Sequence, residues 1–291
     1  MPIRIVQSKQ NARLKELRRA LAHPGRSEQG LAGIEGPHLV SEAARAGLQI
    51  GCVFVAQGSE RLLEMLGLPD EVEVLAIPRD QLDSTLATET PQAIAALVEP
   101  PDWTWAQVLP PQRLRPVAGD PGERADKAWS ALVVVLAGIQ DPGNLGTILR
   151  SAEAFGADGV VSLPGTVNAW NPKAVRASAG SVFRLPVLEM NEADAISQLR
   201  QAGIRIIATT VQSAEPADLV DLVGPVALVI GNEGNGVPSD LAMKADGAIT
   251  IPCPGPVESL NAAVAASVLL YEAARQRLAK NGGPELRGGS R

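Results

Sequence analysis

The stretch LVVVLAGIQDPGNLGTILRSAEAFGADG, residues 132–159, decides the fold class. Its first residues form an uninterrupted apolar run rich in valine, as in a strand buried on both faces. The run breaks at a Pro-Gly turn, where Asn144 stands as a helix N-cap candidate. Ile148, Ala152 and Phe155 then recur at helical spacing as an expected buried stripe, and Gly156 ends the helix. A second apolar run at 159–163 follows directly. Strand, short turn, helix, strand is the unit from which parallel sheets are built. Downstream, strand-like runs at 204–209, 226–230 and 248–251 alternate with helical segments. The expectation is therefore an α/β domain over residues 130–282, with a mostly parallel sheet and helices on both faces.

Upstream the signal changes. Leu14, Leu17 and Leu21 predict an amphipathic helix over 8–22, with basic residues between them. Strand-like runs at 31–34, 52–55 and 72–77 alternate with helical stretches at 38–45 and 60–66, which predicts a small α/β domain over 1–98. The proline-rich stretch PPDWTWAQVLPPQRLRPVAGDPGERADKAW (100–129) suits neither a long helix nor a central strand, so a linker is expected at 99–129. Residues 283–291 read as a flexible tail.

Two domains also suit the 291-residue length. With 45% hydrophobic and 20% charged residues, the composition excludes wholesale disorder. The longest apolar run, 131–139, is far short of the roughly 20 residues of a membrane-spanning helix. The opening MPIRIVQSKQ lacks the apolar core of a secretory signal, so a cytoplasmic protein is expected. Two cysteines and two histidines cannot assemble a CxxC-type zinc site in one chain, and no metal is expected. The net charge of -6 hides an asymmetry: residues 1–50 are basic and 51–100 acidic. The basic helix, with Arg13, Lys15, Arg18 and Arg19, is either a solvated face or an RNA-contacting patch.

In open α/β sheets ligands bind beyond the carboxyl ends of the strands, so the loops after 136, 230 and 251 are the places to look. Arg150 and Glu153 in the first helix can pair with each other or point into a cleft. The second loop, VIGNEGNGVP (229–238), has three glycines and Glu233 directly after a strand, where missing side chains let backbone approach a ligand. Its glycine order is not the dinucleotide fingerprint, which disfavours an oxidoreductase. The third, IPCPGPVESLNAAVAASVLLYEAARQR (251–277), sets Glu258, Ser259 and Asn261 before a long helix expected to place Val264, Val268 and Tyr271 inside. Ser259 and Asn261 read as capping residues or as site residues. No phosphate-binding G-x-x-x-x-G-K-[ST] loop occurs.

Taken in order, NLGTILRSAEAFGADG (144–159), LVIGNEGNGVP (228–238) and IPCPGPVESLNAAVAAS (251–267) resemble the three motifs of the SpoU (TrmH) family of RNA ribose 2'-O-methyltransferases, in the SPOUT superfamily. KAVRASAGSVFRLPV (173–187) is similar to the segment between the first two. IEGPHLVSEAARAG (34–47) and TPQAIAALV (90–98) resemble the family's amino-terminal, ribosomal-protein-like substrate domain. The resemblance implies a carboxyl-terminal trefoil knot, S-adenosylmethionine as cofactor, RNA as partner and a homodimer. It places cofactor contacts at Thr209, Gly231, Asn232, Gly234, Ile251 and Leu260, and catalytic or substrate-positioning roles at Asn144, Arg150, Glu233, Ser259 and Asn261. The separate amino-terminal domain favours rRNA over tRNA. The alternative is a non-catalytic RNA-binding or ribosome-assembly factor on the same fold.

Methyl transfer to a ribose hydroxyl demands positioning above all, and removal of the hydroxyl proton. Neither histidine lies in the three motifs. A guanidinium keeps its proton at ordinary pH, so the family's candidate, Arg150, is expected to bind the adjoining phosphate and stabilise the developing alkoxide, with proton acceptance shared or relayed. Aromatic residues are only 3%, so recognition should rest on shape and backbone more than on base stacking.

Overall fold

The computed structural model describes residues 3–22, 29–86, 88–109, 130–211 and 214–280. Most of the expected linker and the expected tail at 283–291 lie outside the described residues. The elements run β1 (Ile3–Ile5), α1 (Ala12–Ala22), β2 (Ala32–Glu35), α2 (Pro37–Arg45), β3 (Ile50–Ala56), β4 (Val74–Ile77), α3 (Arg79–Asp83), β5 (Ile94–Val98), α4 (Trp105–Val108), β6 (Leu132–Ala137), α5 (Pro142–Ala154), β7 (Gly159–Ser162), α6 (Pro172–Ser178), β8 (Val187–Glu189), α7 (Glu192–Gln201), β9 (Arg205–Thr209), β10 (Glu215–Pro216), β11 (Val226–Gly231), α8 (Ser239–Ala242), β12 (Gly247–Thr250) and α9 (Ala262–Lys280). The chain forms two compact units. One holds residues up to 102 with 141–150 and 167–184; the other holds 103–140, 151–166 and everything from 185 onward.

The first unit is built on a five-stranded mixed sheet of order β1-β4-β3-β5-β2, in which β5 runs antiparallel to both neighbours. Alternation sorts its side chains. Cys52, Phe54 and Ala56 of β3, Leu75 and Ile77 of β4, and Ala95 and Leu97 of β5 join Leu14, Leu17 and Leu21 of α1 and Leu82 of α3 in one core. α1 begins later than expected because Asn11 caps it, its Oδ1 accepting from the backbone N–H groups of Arg13 and Leu14 at 2.9 and 3.3 Å. Residues Glu60–Met65 form a 3-10 helix within the expected helical stretch, flanked by the left-handed glycines Gly58 and Gly67. β5 is a strand that periodicity missed: its alanines carry little strand signal.

The second unit is a seven-stranded sheet of order β10-β12-β9-β11-β6-β7-β8, with every described pairing parallel. The valine-rich run is its centre. Val133, Val135 and Ala137 pack with Val161, Ile206 and Val229 under Val108 of α4, Ala195, Ile196 and Leu199 of α7, and Leu241 of α8. Leu132, Val134 and Leu136 point to the opposite face and are buried too, which is why the run does not alternate. β8 and β10 are short edge strands with too few residues for a periodic signal. α4 falls inside the expected linker, where Thr104 and Gln107 form a capping box and Val108 packs against β7.

α9 buries a different face from the expected one. Ala262, Ala263, Ala266, Leu269, Leu270 and Ala273 are inside, whereas Val264, Val268 and Tyr271 are 47%, 39% and 56% exposed. The helix is apolar almost all round, so periodicity alone does not select the buried stripe.

Candidate active site

The strands β12, β9, β11 and β6 lie side by side and parallel, so their carboxyl ends open on one edge of the second unit. Asn232, one residue past β11, ties two of these ends together. Its Nδ2 donates to the Gly138 carbonyl oxygen beyond β6 at 2.8 Å, and its Oδ1 accepts from the Gly234 N–H at 2.8 Å. Its backbone exchanges two hydrogen bonds with Gly236. The Gly138 N–H in turn donates to Thr166 Oγ1, whose hydroxyl donates to the Leu136 carbonyl, both at 3.1 Å. A polar network thus holds the loop after β6 against the loop after β11.

The three glycines of the second loop have distinct causes. A Cβ on Gly231 would overlap the Gly236–Val237 peptide, so this glycine allows the chain to approach itself. Gly236 has φ +67°, and a Cβ there would meet nothing. Gly234 lies beside Asn232 Oδ1, in the exposed turn that also carries Glu233.

Thr209, Ile251 and Leu260 are half-buried at the ends of β9 and β12 and before α9. Ser259 is exposed, and its hydroxyl has no partner among the described residues. Asn261 caps α9, with Oδ1 accepting from the Ala263 and Val264 N–H groups at 2.9 and 3.3 Å. Capping occupies one end of its amide and leaves the residue at the mouth of the third loop.

Asn144 and Arg150 belong to the first unit. The expected N-cap at Asn144 is corrected: the cap is Asp141, whose Oδ1 accepts from the Asn144 N–H at 2.8 Å, with Pro142 opening the helix. Asn144 therefore sits within the first turn. The Asp-Pro pair was a readable signal for this. The Asn144 N–H, followed by Lys173 at 3.0 Å, holds the Asp141 carboxyl below its ordinary range. Gly146 is required by packing, since a Cβ would overlap the Ala174 carbonyl of α6 and approach Ala177 Cβ to 2.6 Å. Arg150 is exposed and has no partner among the described residues, so the alternative of an ion pair with Glu153 is not realised. In the second unit the end of α5 is fixed to α9, through Ser151 Oγ on Ser267 Oγ at 2.7 Å and through the edge of Phe155 on Tyr271.

The basic helix is less uniformly available than its composition suggests. Arg13 is bound by Glu73 at 3.1 Å and Glu16 at 3.2 Å, and Arg18 reaches Thr85 at 3.4 Å. Lys15, Arg18 and Arg19 are exposed. Glu73, distant in sequence, could not have been anticipated as Arg13's partner. Among the described residues no cluster of His, Cys, Asp and Glu forms a metal cage, and no helix is long and apolar enough to cross a membrane.

Comparison with known proteins accords with this geometry. Residues 131–271 match the SpoU rRNA Methylase family, and residues 11–96 match an MRM3-like substrate binding domain. The chain is 31% identical over 270 residues to the 23S rRNA (guanosine(2553)-2'-O)-methyltransferase RlmP of Bacillus subtilis, covering 91% of this chain and 97% of that one. An uncharacterized tRNA/rRNA methyltransferase of Mycolicibacterium vanbaalenii is 36% identical over 83% of this chain and 76% of its own. Among solved structures, the SpoU methyltransferase AviRb from Streptomyces viridochromogenes in complex with AdoMet superposes with TM-score 0.75 at 28% identity, over 94% of this chain and all (100%) of that one. An AdoMet-bound rRNA methyltransferase from Sinorhizobium meliloti gives 0.75 at 29%, over 94% and 98%. With the substrate domain, the parallel sheet and all three strand-end loops matched in one chain, this protein belongs to the SpoU family of RNA 2'-O-ribose methyltransferases.

Proposed function

We propose that this protein transfers a methyl group from S-adenosylmethionine to a ribose 2'-hydroxyl of rRNA, with residues 1–98 holding the RNA and 130–282 carrying the chemistry. The observation that carries the reading is the union in one chain of a methylase match over the strand-end loops and a substrate-domain match over the first sheet. The 23S rRNA specificity in the name of the Bacillus subtilis relative favours rRNA over tRNA.

Bound S-adenosylmethionine supplies an electrophilic methyl on a positively charged sulfur. The residues at the strand ends fit such a ligand. Half-buried Ile251 and Leu260 offer apolar surface to a flat base, and the turn at Gly234 and Gly236 offers backbone polar groups without side-chain bulk. The uncommitted Ser259 hydroxyl is available to the ribose or to the methionine end of the ligand. In this proposal Thr209, Gly231 and Asn232 complete the cofactor cradle, while Asn144, Glu233 and Asn261 position the reacting groups. Arg150, exposed and without a partner among the described residues, binds the phosphate next to the target ribose and the 2'-oxygen, stabilising the developing alkoxide while acceptance of the hydroxyl proton is shared or relayed. A second copy packs on the apolar stripe of α9, giving a cytoplasmic homodimer, and the family's trefoil knot belongs to the same reading.

Arg150→Lys tests the role of the planar fork, since lysine keeps the charge and loses bidentate geometry. Labelled-methyl transfer to rRNA from cells lacking the enzyme should fall about 100-fold in kcat, with cofactor binding unchanged. Full activity in this variant would overturn the assignment of Arg150. Cofactor binding by the wild type without incorporation into any RNA would favour a non-catalytic assembly factor instead.

A further inference from the structure

We propose that Arg176, on the helix packed against the one that carries Arg150, is a second phosphate anchor for the RNA; this rests on the RNA-methylation reading above. Nearly every arginine and lysine between 130 and 280 is tied down. Lys173 is held by Asp141, Arg184 by Glu42 and Lys244 by Glu192, and Arg277 is spent on backbone carbonyls. Among the described residues the exceptions are Arg150, Arg176 and Lys280, the last residue of α9. In a chain of net charge -6, an arginine on a well-packed helix with no carboxylate partner among the described residues is a site for an outside anion.

The two free guanidinium groups are on neighbouring helices. α5 and α6 run side by side in the same direction, because Lys173 lies against Gly143 at the start of both, and Ala174, Ala177 and Ser178 lie against Gly146 a turn later. By helical spacing Arg150 continues the Gly143–Gly146 stripe of α5, with Thr147 beside it, while Lys173 and Arg176 lie off the contact face of α6, Arg176 on the side turned away from α5. All four are exposed. α6 is a firm base: Asn171 caps it, Ala174, Val175 and Ser178 are buried, and Trp170 stacks on Phe183 at 5.7 Å just outside its ends. Only the Arg176 side chain itself must be ordered when it binds. Its planar fork matches a phosphate, and its place across α6 from Arg150 puts that phosphate a short way along the strand from the target ribose.

The test uses the full-length protein and protein-free rRNA from cells lacking the enzyme. Arg176→Ala should raise the KM for RNA about tenfold, leave kcat within about twofold and leave S-adenosylmethionine affinity unchanged. The slope of log binding constant against log salt should become shallower by about 0.7–0.9, the contribution of one phosphate. Arg176→Lys should restore the salt slope and most of the KM. An unchanged slope overturns the proposal, as does a loss confined to kcat or to cofactor affinity. The slope is read from binding without methyl transfer, so a wild type that binds RNA but does not methylate it counts against the reaction and not against Arg176.

Discussion

Asn232 illustrates how much a single side chain decides. The motif placed it among cofactor contacts, and the structure uses both ends of its amide to hold the loop after β11 to the loop after β6 and to its own turn. Each such bond contributes about 0.5–1.5 kcal/mol net. Asn232→Ala therefore should weaken S-adenosylmethionine binding roughly tenfold, equivalent to about 1.4 kcal/mol, by loosening the cradle. Calorimetric titration reads this directly, and unaltered affinity would show that the tie does not shape the site. Arg150 is the opposite case. Its value to the proposed chemistry lies in having no partner among the described residues, a property that the Arg150/Glu153 spacing left open and only the fold resolves.

At the level of elements, α5 and α9 owe their placement to polar ends as much as to apolar faces. Arg277, near the end of α9, donates to the carbonyls of Ser130, Ala131, Leu222 and Gly224 at 2.6–3.0 Å, gathering the segments that lead into β6 and β11. Arg277→Met keeps much of the buried length but leaves those carbonyls unpaired, a cost of about 2–4 kcal/mol that denaturant unfolding should record. A loss below about 0.5 kcal/mol would mean that water replaces the guanidinium at no cost. At the start of α5, the Asp141 carboxyl is held below its ordinary range by the Asn144 N–H and then by Lys173. A depressed carboxyl stabilises the fold above its unfolded value, about 3.9, and that contribution is lost as pH falls through the lower folded value. The difference in melting temperature between wild type and Asp141→Ala should thus be widest near neutrality and close below about pH 4. A gap that persisted at pH 2 would assign it to something other than the charged cap.

For the whole molecule, the exposed stripe of Val264, Val268 and Tyr271 is the feature that a single chain leaves unfinished. With the proposed second copy covering it, Val268→Glu together with Tyr271→Glu should convert a dimer to a monomer in sedimentation and abolish methyl transfer while each chain stays folded. A wild type that sediments as a monomer at micromolar concentration would sink the proposal. The same stripe marks the limit of reading by pattern. By itself the sequence determined the two α/β sheets and the strand-end loops, because valine-rich runs, helical spacing and Pro and Gly turns are local properties. The three loop motifs also carried the family. Tertiary structure alone decided which face of α9 is buried, since an all-round apolar helix carries no contrast. It also decided that Glu73 takes up Arg13, and that Arg150 and Arg176 have no partner among the described residues. Those outcomes depend on partners far away in the chain, and a partner brought close only by folding leaves no mark on local periodicity.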